Sequence, residues 1–243
     1  GILGASATVA IPLLTRALRE NGNWEMRARA AEALGKIGSA SSVAQPELLN
    51  ALRDPVPYVR AGAVRALQNI GSLPSQAVPE LLSLLDDEYW VVSEGAVKLL
   101  KMSGPEGVRA CFRSLVGLLE SQDSRVRNLA IINLGDLGAA PRDALPVLVR
   151  ALRDPDEGVR RAAINAVGAM GTQSQIAVPP LLEILEGPTP SMHSQAAQAL
   201  SKIIPTSRDA VGPLVRALGH HDASVVSFAA DTLVEVLASE TKV

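Results

Sequence analysis

Rings are nearly missing from this chain: of 243 residues only two Trp, two Tyr and two Phe are aromatic, 2% of the whole. With 47% apolar residues, the core then has to be built from Ala, Leu, Val and Ile, and disorder is excluded. Cysteine occurs once and histidine three times. That excludes an internal disulfide and the structural zinc sites made from four cysteines or two cysteines and two histidines. Neither sign of charge dominates, since 23 Lys and Arg stand against 25 Asp and Glu for a net −2, so bulk charge gives no pull toward nucleic acid. No apolar run approaches the roughly 18 residues of a membrane helix, and Gly1 to Ala10 lacks the pattern of a signal peptide. The reading is a soluble protein with no membrane partner, and with the cytoplasm as its default compartment.

What is present is a period. Pro12, Pro46, Pro79, Pro146, Pro179 and Pro213 fall in one column, with Arg113 in the vacant place, at spacings of 34, 33, 34, 33, 33 and 34. Self-similarity at such a spacing marks a repeat array. Seven units follow, over residues 5–38, 39–71, 72–104, 105–138, 139–171, 172–204 and 205–243, together a single solenoid. Each unit holds two helical patterns. The first opens at the proline, which a helix tolerates where the N–H groups have no intrahelical partner. The second carries apolar residues such as Val59, Ala63, Ala66, Leu67 and Ile70 on one face. Asp54-Pro55 and Asp154-Pro155 read as its N-cap and first-turn proline. It ends at a glycine column, Gly38, Gly71, Gly104, Gly138 and Gly171, which Ile204 and Ala238 break. An alanine column, Ala30, Ala63, Ala96, Ala130, Ala163, Ala196 and Ala230, suits close approach of helices.

These second helices resemble the HEAT-repeat signature. The stretch from Asp154 to Ala163 is similar to the bacterial HEAT-like form also found in phycobilin lyase subunits. The resemblance implies an all-α, right-handed α-solenoid of two-helix repeats, with the second helices lining the inner surface. It also implies a ladder of acidic residues paired with the arginine that opens the second helix. Glu20 and Arg27, Asp54 and Arg60, and Asp154 and Arg160 fill both columns. Armadillo repeats, with a period of roughly 40 residues or more, leave too much length unaccounted for.

Four rings, Trp24, Tyr58, Tyr89 and Trp90, fall in the turn into the second helix of units one to three. They either plug the layer edge or form a ridge for a partner. Positions one, five and eight beyond the arginine column are expected on the inner face. Among them Arg65, Lys98, Lys101, Ile132, Arg161 and Phe228 are the candidate partner contacts. Arg125, Arg127, Arg142, Arg150, Arg153, Arg160 and Arg161 are interleaved with Asp143, Asp154, Asp156 and Glu157, which reads as a solvated, partly paired face and disfavours nucleic acid.

Chemistry finds little to work with. His193, His220 and His221 are not followed by glutamate, so the iron-binding pattern of HEAT-like deoxyhypusine hydroxylases is missing. His220-His221-Asp222 reads as a polar turn and Cys111 as a small buried thiol. No catalytic residues, cofactor or metal are expected. The expectation is a non-catalytic scaffold or adaptor for a protein or peptide partner. A lyase-like subunit that binds a linear tetrapyrrole and a nucleic-acid-binding HEAT protein are the alternatives. Apolar residues in the first and last helices, and a start at Gly1, read as part of a longer chain or as an array that associates through its ends.

Overall fold

Every element of the computed structural model described here is helical. It describes residues 8–20, 22–137, 144–187, 189–203, 211–220 and 223–240. By contact the chain divides into two compact units, Gly1–Leu118 and Leu119–Val243.

The first unit holds α1 (Ile11–Glu20), α2 (Trp24–Ile37), α3 (Gln45–Ala51), α4 (Pro57–Ile70), α5 (Val78–Leu82), α6 (Trp90–Met102) and α7 (Pro105–Leu118). Consecutive elements pack as the pairs α1 with α2, α3 with α4, and α5 with α6, and the second helices stack in the order α2, α4, α6. The second unit holds α8 (Ser124–Asp136), α9 (Leu145–Ala151), α10 (Glu157–Ala169), α11 (Val178–Glu186), α12 (Pro190–Ile203), α13 (Val211–Ala217) and α14 (Ala223–Glu240). Here α9 packs on α10, α11 on α12 and α13 on α14, and the stack runs α8, α10, α12, α14.

Periodicity places the core. In the pair α3 and α4, Leu48, Leu52, Val59, Ala63, Val64 and Leu67 are buried, so one face of each helix is removed from water at about 1.5–3 kcal/mol per large aliphatic side chain. A layer this thin cannot enclose its own apolar face and stacks on its neighbour instead. Small residues set the spacing. A Cβ on Gly35 would lie 2.8 Å from the Cα of Ala66, and one on Gly168 would lie 3.1 Å from that of Ala199. Gly35 and Gly168, placed by the sequence reading on the inner face, are therefore buried between stacked helices, as is Ala61.

Two columns behave as their chemistry requires. Gly38, Gly71, Gly104 and Gly171 all have positive φ, and Gly71 closes α4 by donating its N–H to Leu67. Gly138 and Ile204 lie outside the described residues. The misfit Arg113 is explained by helix length. The helix α7 starts eight residues before it, at Pro105, which places residue 113 in the interior, where proline would remove a hydrogen bond and clash.

Two expectations are corrected. The second helices begin at Pro57 and Glu157, with Val56 and Asp156 as N-cap residues. Asp54 and Asp154 stand two residues further back and accept the N–H of Val56 and Asp156, each at 2.9 Å, an Asx turn in place of a cap. In the last repeat the register is one residue earlier than the proline spacing suggested. Val225, Ala229, Thr232 and Leu233 are buried and Ala230 is exposed. Ala229 thus occupies the alanine column, Thr232 turns inward, and Phe228, half-buried, leaves the position assigned to it.

Candidate functional site: ladder and grooves of the second helices

The ladder arginines face forward along the array. Arg27 donates to Asp54 through Nε at 2.7 Å and Nη2 at 3.0 Å. Arg60 donates to Asp87 at 2.7 and 2.9 Å, and Arg127 to Asp154 at 2.8 and 2.7 Å. All three rungs span 27 residues, so each ties a second helix to the turn of the next repeat. The remaining amine of each arginine donates backward to carbonyls of its own turn. Arg60 reaches Asp54 and Pro55, and Arg127 reaches Ser121 and Gln122. The two-pronged fit of guanidinium to carboxylate is the strong form of such a contact, and it holds all three arginines more firmly protonated than a free arginine, chiefly through that hydrogen bond. The same bond from Arg127 depresses the Asp154 carboxyl below its ordinary value.

The ladder is thus composed differently from the pairs named in the sequence. Glu20 accepts from Arg16 and Arg19 on its own helix. Among the described residues the Arg160 side chain bonds only the carbonyls of Asp154 and Pro155, because Gly187 stands where the next acid would be. Asp87 and Arg127, outside the three pairs chosen, complete two of the three full rungs. In the following repeat His193 takes the arginine position, with Nε2 2.9 Å from the carbonyl of Gly187. His220, 27 residues on, meets it edge to face at 4.7 Å between ring centroids. A ring pair there replaces the ion pair. His221 and Asp222 lie outside the described residues.

Three of the four rings named from the sequence form one cluster. Trp24 stacks on Tyr58 at 5.6 Å and 27°, and Tyr89 meets Tyr58 edge-on at 5.5 Å. Such pairs contribute about 0.5–1.5 kcal/mol beyond burial, so the cluster is ordered. Trp24 and Tyr58 nonetheless stay 40% and 57% exposed. Trp90, at 61%, makes no ring contact among the described residues and stands apart.

The cluster forms the lip of a groove of about 570 Å³ between α2 and α4. Its floor is small: Ala28, Gly35, Ala61, Gly62 and Ala66. Its walls carry Glu25, Arg29, Glu32 and Lys36 from α2 and Arg65 and Asn69 from α4. Lys36 pairs with Glu32 at 2.7 Å and, with help from Arg29 and Arg65, lowers that carboxyl from its ordinary value. Of the groove's cations only Arg65 was anticipated; Arg29 and Lys36 were missed. The signal was their four-residue spacing from Glu25 and Glu32 on one helix face. Lys98 pairs with Glu94 on α6 at 2.6 Å, and Lys101 is exposed near the end of the same helix.

In the second unit α8 and α10 enclose a groove of about 540 Å³ lined by Asn128, Ile132, Gly135, Arg161, Asn165 and neighbours. Ile132 is 49% exposed, and Arg161 is drawn to Glu157 at 2.7 Å. No group of three or more His, Cys, Asp or Glu placed to hold a metal occurs among the described residues. Burial pushes the Cys111 thiol up to about 12, which keeps it protonated and a poor nucleophile at neutral pH. No helix of the described residues is long and apolar enough to cross a membrane.

Helix pairs repeated at a fixed period, tied rung to rung and opening small-floored grooves between their second helices, define an α-solenoid repeat scaffold. The chain belongs to the HEAT-repeat family. The family model described as HEAT repeats matches residues 45–117 and 113–201, and the one described as PBS lyase HEAT-like repeat matches residues 26–54. A crystal structure of an engineered protein from the Northeast Structural Genomics Consortium is similar at 24% identity and a TM-score of 0.51, over 97% of this chain and 69% of that one. A second engineered protein from the same consortium aligns at 23% identity with a TM-score of 0.43, over 94% and 96%. No curated protein matches the chain.

Proposed function

We propose that the chain is a non-catalytic protein-binding scaffold that captures partner segments on the face formed by its second helices. The observation that carries this reading is the Trp24–Tyr58–Tyr89 cluster on the lip of the α2/α4 groove, with Trp24 and Tyr58 exposed and Tyr89 half-buried. Exposed, ordered rings beside a small-floored groove offer large contact area at little entropic cost, and Trp, Tyr and Arg dominate binding energy at interfaces. Rung pairing supports it by fixing the groove's walls without using the groove's own residues. Ile132 and Arg161 extend the same use to the α8/α10 groove.

Selection of a random displayed-peptide library on the folded protein tests the proposal. Peptides should be enriched that lose binding to a variant carrying Tyr58→Ala, Arg65→Glu, Ile132→Glu and Arg161→Glu while its melting curve is unchanged. An empty selection, or peptides indifferent to all four changes, refutes the scaffold reading. The match over residues 26–54 motivates one further arm: titration with a linear tetrapyrrole followed by absorbance. A shifted, saturable bilin spectrum would favour a lyase-like subunit.

A further inference from the structure

The α2/α4 groove carries a charge pattern that narrows what it takes. Around the Glu32 carboxylate stand three cations, Lys36, Arg29 and Arg65, of which only Lys36 is in ion-pair contact with it. Among the described residues Arg29 and Arg65 form no ion pair within 4 Å, and both are exposed. Other arginines of this unit are paired, Arg27 and Arg60 in the ladder and Arg53 with Glu80 of α5, while Arg113 donates to the carbonyl of Arg109. Two guanidinium groups on adjacent repeats, without a carboxylate in contact, thus flank one groove beside the ring cluster. Guanidinium forks match carboxylates bidentately, and exposed Trp and Tyr faces pack against proline or aromatic side chains.

Resting on the scaffold reading above, we propose that this groove recognises an extended acidic peptide segment in which carboxylates flank a proline or aromatic residue. The carboxylates bridge Arg29 and Arg65, and the apolar residue packs on the open edge of Trp24 and Tyr58. The small floor of Ala28, Ala61 and Gly62 lets the peptide backbone come close. Stacking rings beside arginines also suit single-stranded nucleic acid, but two observations favour the peptide. Trp24, Tyr58 and Tyr89 spend part of their ring surfaces on one another instead of presenting separate platforms for successive bases. Glu25 and Glu32 line the same groove between its cations, so it offers separate cationic points for two carboxylates and not the continuous positive track that a phosphate backbone follows.

The test uses the full chain and the same displayed-peptide selection, read for sequence. Enriched peptides should carry Asp or Glu on both sides of Pro, Trp, Tyr or Phe. Synthesised with a fluorescein label, they should bind with an anisotropy change that weakens at least about tenfold for Arg29→Glu and for Arg65→Glu, and also for Trp24→Ala. The Trp90→Ala variant should bind as the parent does. Both arginines are exposed, so the variants should keep the parent circular dichroism and melting midpoint. Enriched peptides rich in Lys or Arg overturn the inference, as do peptides whose binding ignores Arg29 and Arg65 but depends on Ile132 or Arg161. In both cases the scaffold reading survives. An oligothymidine that displaces the labelled peptide and binds more tightly, with steep salt dependence, overturns it in favour of nucleic acid.

Discussion

Replacing Arg60 by alanine tests whether the ladder holds the array together. The side chain makes two bonds to Asp87, at 2.7 and 2.9 Å, and two to its own turn, at 2.9 and 3.2 Å. Both partners are well covered, with side chains 11% and 6% exposed. Its loss leaves the Asp87 carboxylate in that setting with only the N–H of Tyr89, at 2.9 Å. Stranding one member of a buried pair costs roughly 3–5 kcal/mol, and the surviving turn bond argues for the low end, about 3 kcal/mol. For a chain of this size that lowers the melting midpoint by roughly 6–12 °C. Both tryptophans lie in the first compact unit, so their emission during urea unfolding reports the unit that Arg60 braces. Asp87→Asn keeps an acceptor for the turn while removing the charge. The double variant should therefore lose less than the sum of the two single changes, because no charge is left stranded. Arg53→Ala is the control: its pair with Glu80 links adjacent repeats over the same 27 residues, but 72% of the arginine side chain is exposed against 11% for Arg60, so even with Glu80 at 15% its midpoint should fall by clearly less than that of Arg60→Ala. Equal shifts for Arg60→Ala and Arg53→Ala, or a coupling of zero, would refute the reasoning.

The ring pair of His193 and His220 should be convertible into a rung. His193→Arg combined with His220→Asp is expected to raise the midpoint of the second unit by more than the two single changes together, followed by circular dichroism. Acid should weaken the Arg127 rung: the Asp154 carboxyl is depressed in the folded state, so its contribution is complete above the ordinary carboxylate value near 3.9 and is lost as pH falls through the lower folded value. Asp154→Asn should therefore flatten the loss of urea resistance between about pH 5 and pH 2, and an unchanged slope would contradict this. Gly95→Ala would bring a Cβ within 2.2 Å of Val64 Cγ1 on a buried, one-rotamer side chain. It should destabilise by about 1–3 kcal/mol, whereas Gly117→Ala, which meets nothing within 4 Å, should be neutral or slightly stabilising in the same assay.

The fold was legible because a repeat states each physical requirement several times. Proline at a helix start, glycine at positive φ and alanine at a close approach each recur in register, and coincidence falls away with every repetition. The exceptions carried information that only length and packing could decode. Arg113 breaks the proline column because α7 starts early and needs an interior N–H at that place. The last repeat runs 13 residues from Pro213 to Val226, where the preceding one runs 14 from Pro179 to His193. Counting from the proline therefore shifted every later assignment by one and placed Thr232 on the wrong face.

The ladder shows a deeper limit. From Arg60 one acid lies six residues back and another 27 residues on, and spacing alone cannot choose between Asp54 and Asp87. The folded chain uses both, the carbonyl of the first and the carboxylate of the second, so a single side chain closes its own turn and clamps the next. That dual use explains why a half-rung persists at Arg160, where Gly187 offers no acid: the turn bonds remain worth making. The ring cluster obeys the same logic. Tyr89 and Trp90 are neighbours in sequence, yet only Tyr89 joins Tyr58, because Tyr89 is the N-cap residue of α6 and Trp90 its first helical residue, and the turn aims the two side chains apart. A partner surface built on such turns is set by where each second helix begins, and the Asx turns that the ladder clamps set that start. Rung and lip are therefore coupled: loosening Arg60 should also cost affinity at the Tyr58 edge for a bound peptide, at temperatures where the array is still folded.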